Sequence, residues 1–157
     1  MSVEVAASAV LVIFLAVIIA TDLARRRIPN AATFPAMIVG LALAALDSFP
    51  GSFGERGLVD HAAALVLAFV LTFPLYTLGA MKAGDVKLLM AIGSLGGTVF
   101  LFYAAVYGAL LGGLFALVYI AVQRLARGRP LREALRSYMP YGVALGLGAF
   151  VALFVRR

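Results

Sequence analysis

The chain has 157 residues, 64% of them hydrophobic and 13% charged, with a formal net charge of +6. Thirteen Lys+Arg and seven Asp+Glu cannot clothe a domain of this size in the charged, mixed surface that water demands, so the solvent for most of it is lipid. The absence of cysteine excludes disulfides, thiol catalysis and cysteine metal sites, and a single histidine, His61, argues against a histidine metal centre or a serine–histidine triad.

The first apolar run extends from Val3 to Ala20, with Glu4 at its start and Arg25-Arg26-Arg27 after it. A secretory signal places its positive charge before the apolar stretch, so this order predicts an uncleaved span with the N-terminus outside. Ile28-Pro29-Asn30 breaks the helix, because proline cannot continue it and asparagine caps the next start. A second run follows from Ala31 to Leu46. Residues 47–57 are rich in glycine, serine and proline and read as a loop. A third run spans Ala62 to Gly79.

After Lys82-Ala83-Gly84-Asp85-Val86-Lys87 the chain is uncharged from Leu88 to Gln123. One helix of that length would measure roughly 54 Å, against a hydrocarbon core of about 30 Å. The chain therefore turns, most simply at Gly96-Gly97-Thr98, which makes the fourth helix short; a turn nearer Gly108 is the other option. A basic segment from Arg124 to Tyr138 and a last span from Tyr141 to Val155 complete the chain.

The expected fold is an all-α integral membrane protein, one domain over residues 1–157, with a bundle of about six transmembrane helices. Alternating the passages puts ten basic residues on one side (Arg25, Arg26, Arg27, Lys82, Lys87, Arg124, Arg127, Arg129, Arg132 and Arg136) and Arg56, Arg156 and Arg157 on the other. The excess marks the cytoplasmic side and accounts for the net charge without nucleic acid. Leu131, Ala134, Leu135 and Tyr138 recur at helical spacing among arginines, as in a segment lying in the interface.

No ionisable residue stands at the midplane of any span, which argues against an ion pump or proton-coupled transporter. The informative charges sit at the rim. Asp22 closes the first span at a helix C-terminus, where the macrodipole disfavours a carboxylate. Pairing with Arg26, four residues on, explains its toleration as well as function does. Asp85 opens the fourth helix, where aspartate is a good N-cap. Gly84 leaves the adjoining backbone open to close approach, and the topology puts Asp85 at the depth and side of Asp22. Two carboxyl groups sharing a site cannot easily both ionise, so one acts as a base on water while the other acts as an acid.

At these residues the chain resembles the type IV prepilin peptidases, bacterial members of the G-x-G-D class of intramembrane aspartic proteases. The matching pieces are Asp22 with Arg27-Ile28-Pro29-Asn30, then Ala83-Gly84-Asp85-Val86-Lys87-Leu88-Leu89, and Pro140-Tyr141-Gly142 before the last span. The resemblance implies that Asp22 and Asp85 are the catalytic pair, with no metal and no cofactor. It implies a pilin or pseudopilin precursor as partner, whose basic leader stays in the cytoplasm while its apolar helix sits in the bilayer. Cleavage would then occur at the cytoplasmic face of the bacterial inner membrane.

Two features depart from the family pattern. Lys82 replaces the leading glycine, giving K-A-G-D. The chain also starts directly with a span, without the cysteine-bearing cytoplasmic region linked to N-methylation in larger members. The expectation is peptidase activity without methyltransferase activity, as in the enzymes serving Flp (tight-adherence) pili. Gly84, Lys87 and Asn30 are candidate substrate contacts, with a boundary role for Lys87 and a capping role for Asn30 as alternatives. Lys87 follows Asp85 by about half a turn and should point away from it. Asp47, Glu55 and Asp60 read as solvated loop charges and His61 as structural. Gly108, Gly112, Gly113, Gly142, Gly146 and Gly148 read as helix-packing positions, and Tyr103, Tyr107 and Tyr119 as packing residues. The competing function is a non-catalytic membrane scaffold of a pilus or secretion assembly. The sequence leaves oligomeric state open.

Overall fold

The computed structural model describes residues 3–47, 57–127 and 141–155. All regular structure in them is helical: α1 (Val3–Arg25), α2 (Asn30–Asp47), α3 (Gly57–Thr77), α4 (Ala83–Arg127) and α5 (Tyr141–Val155). Among these, Val5–Arg25, Gly57–Thr77 and Ala83–Val122 are long and apolar enough to cross a membrane, while Asn30–Leu46 and Gly142–Val155 are shorter apolar helices.

Several boundaries differ from the sequence expectation. α1 continues five residues past Ala20, and Asp22 lies within its last turn, at the helix C-terminus as expected. α3 begins at Gly57, which places Asp60 and His61 in its first turns instead of in a loop. It ends in a Schellman arrangement around Gly79, whose φ is 73°. There the N–H groups of Ala80 and Gly79 donate to the carbonyls of Leu75 and Tyr76 at 2.8 and 3.0 Å.

α4 is broken at Gly97, which adopts φ 77° and ψ −179°. Only glycine reaches this region without strain. The break exposes N–H groups at the start of the following segment, and α3 supplies the cap. Asp60 accepts from Thr98 N–H at 3.2 Å and from Thr98 Oγ1 at 2.6 Å. Beside it, His61 Nδ1 lies 2.7 Å from the Ser94 carbonyl. Asp60 is thus a cap, not a solvated charge, and His61 has a structural partner.

The break reverses the chain. An unbroken α4 would carry Gly108 about 35 Å from Asp85. Instead Gly108 lies against Leu145 of α5, one turn from Gly142, which itself abuts Asp22. Residues 83–96 therefore run from the Asp22 end of the bundle to the start of α3, and residues 98–127 run back. The first segment is short, as expected.

Residues 83–96 form the centre of the bundle. Leu88, Ala91, Ile92 and Ser94 are fully enclosed, with Val86, Leu89 and Leu95 nearly so. A helix apolar on every face belongs inside. Small residues let neighbours approach it: a Cβ at Gly40 of α2 would meet the Ser94 carbonyl, and one at Gly93 would lie 2.9 Å from the Ala64 carbonyl of α3. The outer faces of α3 and of residues 98–127 remain apolar and exposed, as Val59, Leu71, Phe102, Leu110 and Leu117 show. A Cβ at Gly113 would meet nothing within 4 Å among the described residues, so the packing role expected for it is not seen there. The basic segment around Leu131 to Tyr138, with Glu55 and Pro140, lies outside the described residues.

Candidate active site

Three helix ends and one corner meet at one end of the bundle. Asp22 comes from the last turn of α1 and is 2% exposed. Its Oδ2 accepts the backbone N–H of Val143 at 3.1 Å. Val143 lies in the first turn of α5, where N–H groups have no partner within their own helix. A carboxylate is favoured at such a helix start, which offsets its poor position at the end of α1. Gly142 makes this contact feasible: a Cβ there would stand 2.8 Å from Asp22 Oδ2 and 2.9 Å from Ile28 Cδ1.

Asp85 is the third residue of α4 and 5% exposed. It is not the N-cap. Lys82 occupies that position, its carbonyl accepting from Asp85 and Val86 N–H at 3.0 and 3.3 Å. The Asp85 side chain reaches back so that its Oδ2 accepts Lys82 N–H at 3.2 Å. This is the reciprocal half of a capping box. The residue that replaces the motif glycine therefore supplies a backbone donor, a role for which its side chain is immaterial. Gly142, against Asp22, and Gly84, next to Asp85 in the chain, both face Ile28, so the two acidic residues lie at the same end of the bundle.

Ile28 fills the space between these elements. It packs on the core, and its side chain lies 3.2 Å from where a Gly84 Cβ would stand and beside Gly142. The open approach expected beside Gly84 exists, and Ile28 of the same chain occupies it.

Lys87 and Asn30, both expected to contact substrate, contact each other: Lys87 Nζ donates to Asn30 Oδ1 at 2.9 Å. The ammonium also sits 5.4 Å from the centroid of the Phe34 ring. Asn30 is thus not the cap of α2. Pro29 fills that position, its carbonyl accepting from Thr33 N–H at 3.2 Å. The Asn30–Lys87 bond ties the α1–α2 corner to α4 beside the two carboxyl groups.

Sequence reasoning named Asp22, Asp85 and Gly84 and missed Ile28 and the Val143 N–H. The glycine of Pro140-Tyr141-Gly142 was the available signal for the second. Ile28 looked like part of a helix break, and no periodicity marks a corner residue. Among the described residues there is no group of three metal-ligating side chains.

The site and fold define a helical membrane protein with two buried acidic side chains at the same end of its bundle. The model of the type IV leader peptidase family matches residues 9–117, and the chain belongs to that family. It is a protease of the leader-peptidase type, and prepilins are the substrate class this membership suggests. No curated protein and no solved structure matches the chain significantly.

Proposed function

We propose that this protein is an aspartic endopeptidase that removes the basic leader from pilin-like precursors at the cytoplasmic face of the bacterial inner membrane. The observation that supports the reading is the burial of Asp22 and Asp85, from different helices, at the same end of the bundle, with Ile28 lying against the glycine beside each. One carboxylate takes a proton from water, whose oxygen bonds to the scissile carbonyl carbon. The other carboxyl polarises that carbonyl and gives its proton to the amine as the C–N bond breaks. The proposed chemistry is hydrolysis alone, without metal, cofactor or N-methyl transfer.

Orientation and passage number belong to the same proposal. With the reversal at Gly97 counted, the reading is six helical passages with the N-terminus outside, for which the break in α4 is the support. The dyad then shares its side with Arg25, Arg26, Arg27, Lys82 and Lys87, the side that basic residues mark as cytoplasmic. A basic leader would stay in water there while the precursor's apolar helix lies in the bilayer.

Co-expression with a candidate prepilin tests the assignment. Wild type yields a faster-migrating mature product on a gel. Asp22→Asn and Asp85→Asn should each abolish it while the membrane level of the protein is kept. Processing that survives either change, as a scaffold role predicts, rejects the dyad.

A further inference from the structure

A working dyad has to admit both a water molecule and a peptide. Here neither carboxyl is accessible, at 2% and 5% exposure. The arrangement is closed, and some element beside it has to move before hydrolysis. The described elements around the dyad are the helical starts of α4 and α5, the end of α1, and the corner at residues 26–29.

The corner is the one that fits. It is non-helical between two helices. Arg26, a non-glycine residue, holds φ 51°, a backbone region that L side chains rarely adopt. The side chain of Ile28 reaches from the corner into the gap between Gly84 and Gly142. Those glycines adjoin Asp85 and touch Asp22 respectively. Withdrawing Ile28 would uncover a slot with Cβ-free backbone on two opposing walls, next to both carboxyl groups. Such a slot suits an extended peptide segment, because a main chain can approach glycine more closely than any other residue. The Asn30–Lys87 hydrogen bond holds the corner shut from the α4 side.

We propose that residues 26–29 are the gate of the dyad, that Ile28 is its wedge, and that an extended precursor segment takes the place Ile28 leaves. The effect on cleavage rests on the peptidase reading; the effect on accessibility does not.

The chain contains no cysteine, so Asp85→Cys introduces a unique reporter at the dyad. Its rate of modification by a small water-soluble methanethiosulfonate is measured with the full chain in membranes. With Ile28 present the rate is slow. Ile28→Ala raises it at least tenfold, and the milder Ile28→Val raises it by an intermediate factor. Leu95→Ala, a truncation of a more deeply buried side chain near the far end of the bundle, leaves it unchanged. Equal rates with and without Ile28, or the same acceleration from Leu95→Ala, overturn the gate. With both aspartates intact, Ile28→Ala should also lower the KM for a prepilin while Leu95→Ala does not. A chain that cleaves nothing would sink the peptidase reading and leave the accessibility result standing.

Discussion

The backbone N–H of Val143 reaches Oδ2 of Asp22 at 3.1 Å, joining positions 121 residues apart. This bond fixes where α5 begins relative to α1, and Gly142 is the residue that permits it. In Gly142→Ala the new methyl would lie 2.8 Å from Asp22 Oδ2 and 2.9 Å from Ile28 Cδ1, inside van der Waals contact. The start of α5 has to withdraw, and the hydrogen bond is lost. Leaving a buried hydrogen-bonding group without its partner costs about 1–3 kcal/mol. Prepilin processing by Gly142→Ala should therefore fall roughly 10-fold at unchanged membrane level. Quantifying mature and precursor bands against protein abundance checks it.

Lys87 and Asn30 form one interaction, so their loss should not be additive. Lys87→Met and Asn30→Ala each remove the same bond, worth about 1 kcal/mol. The double variant should be scarcely less stable than Lys87→Met alone, which also loses the contact of the ammonium with Phe34. A double-mutant cycle read by unfolding in mixed micelles measures this. Additive losses would mean that each side chain acts through other partners.

Asp60 bears on stability at the end of the bundle opposite the dyad. It caps the segment that starts at Thr98 through both the N–H and the hydroxyl. Asp60→Ala should cost about 1–2 kcal/mol, in the range of a lost N-cap. Asp60→Asn keeps an acceptor and should cost less. Processing per folded molecule should hardly change in either, since Asp60 is far from the dyad. Comparing folded yield with the rate per folded molecule separates the two effects.

Much of this was legible in the sequence because it rests on local rules. Composition alone forces a lipid-facing helical chain. The excess length of the uncharged stretch after Lys87 requires a reversal, and Gly97 is where the backbone takes a conformation that only glycine adopts easily. Asp22 and Asp85 stood out as charges at the rims of apolar runs. What escaped depends on contacts between distant segments. Asp60 looks like any loop charge until the break at Gly97 exposes N–H groups that need a partner. Asn30 and Lys87 look like a cap and a boundary charge until the fold puts them 2.9 Å apart. Ile28 belongs to no periodic pattern, and only the convergence of Gly84 and Gly142 on it reveals its position.

The return of α4 depends on its closest approach to α5, at Gly108 and Gly148. A Cβ at Gly148 would meet the backbone of Gly108 and lie 2.7 Å from the Tyr107 carbonyl carbon. Backbone on both sides cannot yield as a flexible side chain does, so the helices have to separate. Gly148→Ala should lower stability by about 1–3 kcal/mol, the usual cost of overpacking, and Gly148→Val by more. Because Gly142 lies on the same short helix, separation at Gly148 also pulls the Val143 N–H from Asp22. The graded loss of folded protein from Ala to Val should therefore be accompanied by a graded loss of processing per folded molecule. Gly113→Ala, on the same return segment but with nothing among the described residues within 4 Å of the added Cβ, should change neither. Measuring all three side by side tests whether the α4–α5 contact, and not helix composition, carries the effect.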